Sequence, residues 1–115
     1  GMPFMLGYHP AFMLHTENAK IVTGDQQITI PDVMSVGSRA LLVPDTNTIL
    51  LKDERTLQIK TEGFHHFMLW TEVPNMVCIE PITFYPYAVA QQDLAAGFMH
   101  LKNTPMTFKV VFTPM

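Results

Sequence analysis

Along most of this chain, apolar residues recur at every second position or in short runs, and turn-forming residues close each run before a helical face can develop. Phe108, Val110 and Phe112 alternate with Thr107, Lys109 and Thr113. Leu57 and Ile59 alternate with Gln58 and Lys60, and Ile28 and Ile30 with Gln27 and Thr29. A period of two sends successive side chains to opposite faces, which is the pattern of a half-buried strand. Phe4 to Tyr8, Ala40 to Val43, Ile49 to Leu51, Phe67 to Thr71 and Met76 to Ile79 are apolar runs of strand length. Between them lie Thr23-Gly24-Asp25, Pro44-Asp45-Thr46-Asn47, Lys52-Asp53-Glu54-Arg55, Pro74-Asn75 and Asn103-Thr104-Pro105, all rich in turn chemistry. Several short strands with brief connections predict an all-β sandwich or barrel. The one helix candidate is Ala88 to Ala96, limited to a turn or two because it lacks an apolar stripe and stops at Gly97.

A length of 115 residues, with no repeat or linker, predicts a single domain over 2–115. Gly1 ahead of Met2 reads as a cloning remnant. The hydrophobic fraction is 48% and the charged fraction only 15%, so much of the surface is expected to be buried on both sides or covered by something else. The seven basic residues are scattered and the net charge is −3, which argues against a nucleic-acid partner. Cys78, the lone cysteine, excludes an internal disulfide framework and suits a reducing, cytoplasmic setting. No apolar run approaches the ~20 residues of a membrane span, so no membrane partner is expected. Nothing at the N-terminus reads as a signal peptide.

Two ionisable residues stand out. Glu80 follows Met76-Val77-Cys78-Ile79, and a carboxylate in such company is costly to bury without a partner or a task. Alternation places it with Met76 and Cys78, opposite Val77 and Ile79. Pro81 holds it extended and is expected to end the strand there. His9 repeats the arrangement, since it closes an apolar run, shares a face with Met5 and Gly7, and precedes Pro10. Gly7 is expected to leave that face open to a ligand. Each residue also has an ordinary reading, as a structural histidine and as a strand-end carboxylate reaching solvent or a lysine. His65 and His66 are adjacent and point to opposite faces of a strand, so no metal site is expected there. Trp70 lines either core or cleft. Cys78 has no base identifiable in the sequence, which argues against a thiol nucleophile.

Met2-Pro-Phe-Met-Leu-Gly-Tyr-His-Pro-Ala-Phe12 resembles the GxHPxF segment of aldose 1-epimerases, the galactose mutarotase-like proteins. Val77-Cys-Ile-Glu-Pro-Ile-Thr83 resembles their CIEP segment, and Gly63 to Glu72 resembles the strand that leads into that glutamate. The order and approximate separation match. The resemblance implies an antiparallel β-sandwich that is part of a galactose mutarotase-like supersandwich. It also implies interconversion of the anomers of a free sugar, with His9 as general acid on the ring oxygen and Glu80 as general base on the anomeric hydroxyl. That chemistry needs no metal and no organic cofactor. Phe12 and Trp70 are candidates to pack on the sugar ring, and Asp32 is a candidate sugar-binding carboxylate with an alternative as a turn residue.

The resemblance reaches only the C-terminal part of that family, whose members are usually about twice as long. Half a supersandwich is expected to expose apolar sheet surface, which predicts a homo-oligomer in which a second copy supplies cover. Loss of the substrate cradle is expected to weaken or abolish turnover, because positioning supplies much of the rate. The alternative is a non-catalytic carbohydrate-binding or structural remnant. A small metal-binding barrel of the cupin kind fits the length but not the histidines, which lack an HxH pair.

Overall fold

The computed structural model describes residues 2–4, 7, 9–83, 99–101 and 107–115. Its strands are β1 (Met2–Phe4), β2 (Ala11–Met13), β3 (Lys20–Thr23), β4 (Gln26–Thr29), β5 (Leu41–Val43), β6 (Thr48–Lys52), β7 (Thr56–Glu62), β8 (His66–Trp70), β9 (Met76–Ile82), β10 (Met99–Leu101) and β11 (Lys109–Pro114). They form a five-stranded sheet in the order β11-β7-β6-β3-β4, a four-stranded sheet in the order β2-β9-β8-β5, and a β1-β10 pair. Every pairing is antiparallel. The chain is an antiparallel β-sandwich.

Alternation explains how the two larger sheets meet. Ile21, Ile28, Ile49, Leu51 and Ile59 point inward from the five-stranded sheet, and Val43, Phe67, Leu69, Val77 and Ile79 from the four-stranded one. They interleave in one buried cluster, as stacked sheets require. The register keeps like with like: Ile21 lies opposite both Ile28 and Leu51, Ile49 opposite Ile59, and Leu69 opposite both Leu41 and Ile79. The outward row of the five-stranded sheet carries Lys20, Gln27, Lys52, Gln58, Lys60, Glu62 and Lys109. Four of the seven basic residues, scattered along the sequence, therefore share this face.

One helix, α1 (Ile30–Ser35), was not expected. Thr29 caps it: its hydroxyl accepts from the Asp32 amide at 3.2 Å while the Asp32 carboxylate accepts from the Thr29 amide at 3.0 Å. Thr-x-x-Asp with a proline in the first turn is a helix-start signal. The Ile28, Ile30 alternation hides it, because α1 takes over Ile30 and buries it together with Val33. The candidate helix over 88–96 lies outside the described residues.

The β6–β7 turn ties the sheets together. The Asp53 carboxylate accepts from the amides of His15 and Thr16 at 2.8 and 2.9 Å, and from the Thr16 hydroxyl at 2.8 Å. This fastens the five-stranded sheet to the segment leaving β2. Ala40, just before β5, is held at φ 63°, ψ 160°, a conformation suited to glycine.

Candidate functional site

Glu80 does not end its strand. β9 runs two residues further, through Pro81 to Ile82. Proline is tolerated because of where its nitrogen points. The Ile79 amide donates to the Pro10 carbonyl at 3.1 Å on the β2 side. Pro81, two residues on, turns its nitrogen the same way, away from β8, so no hydrogen bond of the β8–β9 ladder is lost.

The same pairing brings His9 to Glu80. Ala11 lies opposite Cys78, and Gly7 bridges to Ile82. Both belong to one continuous register, and His9 opposite Glu80 is its midpoint. The two side chains project from one face and touch, His9 Nδ1 against Glu80 Oε1. The Glu80 side chain is 11% exposed, whereas that of His9 is 66% exposed. The buried carboxylate is thus satisfied by a solvent-facing partner. Gly7 does not open this face. A Cβ there would come within 3.1 Å of the Ile82 methyl and 3.3 Å of the Pro81 carbonyl, so the glycine allows close approach of the two chains.

Three of the five candidate site residues gather here. Trp70 lies opposite Cys78, on the outward face of the four-stranded sheet, with its ring centroid 6.5 Å from that of His9. Phe12 lies opposite Val77 and turns the other way. It packs against the core and meets Phe112 edge-on at 5.8 Å, which removes it from the His9–Glu80 face. Asp32 caps α1, and the Thr29 amide and hydroxyl hold its carboxyl below the usual range. Asp32 therefore serves neither the sugar-binding role nor the turn expected of it: it lies in the first turn of α1 as the capping-box partner of Thr29.

Cys78 is the residue that sequence reasoning passed over. Its Sγ lies 3.7 Å from His9 Nε2, so the thiol does have a base beside it. Burial, and then the negative charge of Glu80, push its titration upward, which keeps the proton on sulfur. The shared face of Cys78 and Glu80 was legible from their spacing; the strand that brings His9 over them was not. The three groups do not converge on a point, because the imidazole stands between the other two. Consistently, among the described residues no group of three or more His, Cys, Asp or Glu is placed to hold a metal ion.

Most of the remaining outward face is apolar, with Leu42, Met68, Met76 and Ile82, while His66 stands opposite Ile82 at its margin and accepts from the Asp45 amide at 3.1 Å. A cleft of about 570 Å³ opens beside His9, lined by Pro10, Phe108, Lys109, Val110 and Phe112. Its volume is in the range of small-molecule sites. No helix among the described residues is long and apolar enough to cross a membrane. Comparison of the chain with family models, with curated proteins and with solved structures returns no match in any of the three.

Proposed function

We propose that the chain is an aldose 1-epimerase-like protein that opens and recloses the ring of a free sugar by acid–base catalysis. The observation that supports this reading is the pairing of His9 with Glu80 on one face, with an exposed proton donor set against a buried carboxylate. The reacting part of a cyclic sugar is small. Its anomeric carbon carries both the ring oxygen O5 and the hydroxyl O1, so one hemiacetal unit spans the two groups once the Nδ1–Oε1 contact opens. Glu80 takes the O1 proton and His9 delivers one to O5. The C1–O5 bond breaks, the aldehyde turns about C1–C2, and the steps reverse on the other face. Trp70 is positioned to pack on the apolar side of the ring. A galactose mutarotase-like supersandwich would give the apolar outward face of the four-stranded sheet its use.

Polarimetry on freshly dissolved α-glucose and α-galactose tests the proposal. Mutarotation should run faster than in buffer, and Glu80→Gln should return it to the buffer rate. No acceleration at high protein concentration would sink the enzyme reading for those sugars. The direct His9–Glu80 contact favours a second reading, a carbohydrate-binding or structural remnant, because it leaves no gap for a ring. Saturable hexose-dependent chemical-shift changes without turnover would support it. Self-association belongs to the same proposal. Val111, Phe112 and Met115 are exposed at the β11 edge, and a second copy is the proposed cover. Light scattering that finds only monomer would remove that part.

A further inference from the structure

The imidazole of His9 has two nitrogens, and both are engaged. Nδ1 meets Glu80 Oε1, and Nε2 lies 3.7 Å from Cys78 Sγ. An ionised carboxylate only accepts hydrogen bonds, so the proton at the first contact sits on Nδ1. An imidazole protonated at Nδ1 has a bare Nε2, and a thiol is a donor to it, although a weak one. The two contacts therefore require the same tautomer. In the opposite tautomer two acceptors would face each other across the Glu80 contact, and the thiol would meet an N–H.

We propose that Cys78 is a positioning residue that donates its S–H to His9 Nε2 and, together with Glu80, holds the proton of the imidazole on Nδ1. The tautomer rests on the two contacts together with an ionised Glu80; its catalytic use rests on the epimerase reading. A neutral imidazole has one proton to give, and this arrangement presents it on the side where Glu80 receives the proton of O1. As Nδ1 gives its proton to O5, Nε2 takes the thiol proton, so the ring does not pass through an imidazolate. The C1–O5 electrons go to O5, an O1 lone pair forms the carbonyl, and net charge passes from Glu80 to sulfur. Protonation of Glu80 removes one of the two causes that hold the proton on Cys78. Ring closure returns all three protons.

The test is the ¹⁵N spectrum of the His9 ring in the full chain, at a pH where the imidazole is neutral. Wild type should show a protonated Nδ1 and a bare Nε2. Cys78→Ser, which keeps a donor, should give the same pattern, and Cys78→Ala should move both signals toward the tautomeric average. A wild-type ring protonated on Nε2, or an alanine variant with wild-type signals, would overturn the proposal. Should the alanine variant not fold, wild type and Cys78→Ser decide it, since a serine variant that lacks the pattern also overturns it. Polarimetry on the same samples separates the two claims. The expected tautomer without mutarotation upholds the role of Cys78 and removes the epimerase reading. With turnover, Cys78→Ala should lower kcat at unchanged KM, and Cys78→Ser should keep the tautomer without restoring kcat, because a serine hydroxyl donates a hydrogen bond but does not release its proton as a thiol does.

Discussion

The two sheets of this sandwich share a core and differ on their outward faces. The five-stranded sheet turns lysines, glutamines and Glu62 toward water, the usual half-wet pattern of an antiparallel sheet. The four-stranded sheet is largely apolar on both faces, with Leu42, Met68, Trp70 and Ile82 outward beside His66, and Phe67, Leu69, Val77 and Ile79 inward. A lysine on the first face needs no explanation. A glutamate on the second does, because its surroundings oppose its charge. Function is therefore to be sought on the face that departs from the ordinary pattern. The acidic residue that marks it was visible only because its neighbours are apolar.

Substitutions can break or sharpen this contrast. The largest effect should come from the layer the sheets share. Phe67 is fully buried between them, and Phe67→Ala should cost about 3–5 kcal/mol. Denaturant melts that show less than half of this would mean that the sheets are not packed as one core. Glu80→Leu comes next. On an apolar face it should leave stability within about 1.5 kcal/mol of wild type, since the partner it abandons is a solvent-exposed histidine. It should also abolish any mutarotation. A loss well beyond that would show that the face is built around the carboxylate, not merely interrupted by it.

The tie between the sheets ranks third. Asp53→Ala removes acceptors from the His15 and Thr16 amides and should cost about 1 kcal/mol. Burial alone would raise the Asp53 titration, but the amides of His15, Thr16 and Glu54 and the Thr16 hydroxyl outweigh it, so its carboxyl titrates below the ordinary value. The stabilisation is therefore complete above the unfolded-state pKa and is lost as pH falls through the lower, folded one. Acid titration of wild type and Asp53→Ala should show their stabilities converging over that window. Convergence above pH ~5, beyond the carboxylate range, would contradict the assignment. The smallest effect belongs to the wet face: Lys60→Ala should change stability by no more than about 0.5 kcal/mol. A larger change would mean that this face is also covered.

The strands were legible in the sequence because a half-buried face writes itself as alternation. Thr56–Glu62 and Lys109–Pro114 fall where period two places them. The helix at Ile30–Ser35 was missed because its first apolar residue continues the alternation of the strand before it. Pro81 was read as a stop, although the penalty of a proline depends on which side of the strand its nitrogen faces. Candidate site residues were separable by face within a strand, hence the correct grouping of Cys78 with Glu80. Pairing between strands is a property of the whole topology. It decides that His9 reaches over Cys78 and Glu80, that Trp70 joins them, and that Phe12 does not.

The register that aligns Gly7, His9 and Ala11 with Ile82, Glu80 and Cys78 also bears on how the molecule assembles. His9 and Glu80 are 71 positions apart, so their meeting waits on closure of a long loop and belongs to the slow part of folding. The β8–β9 hairpin can form early with Glu80 already in place, but without its imidazole. Trp70, the only tryptophan, sits on that hairpin within 6.5 Å of the arriving ring. Its fluorescence is consequently a built-in clock for the moment the site comes into being.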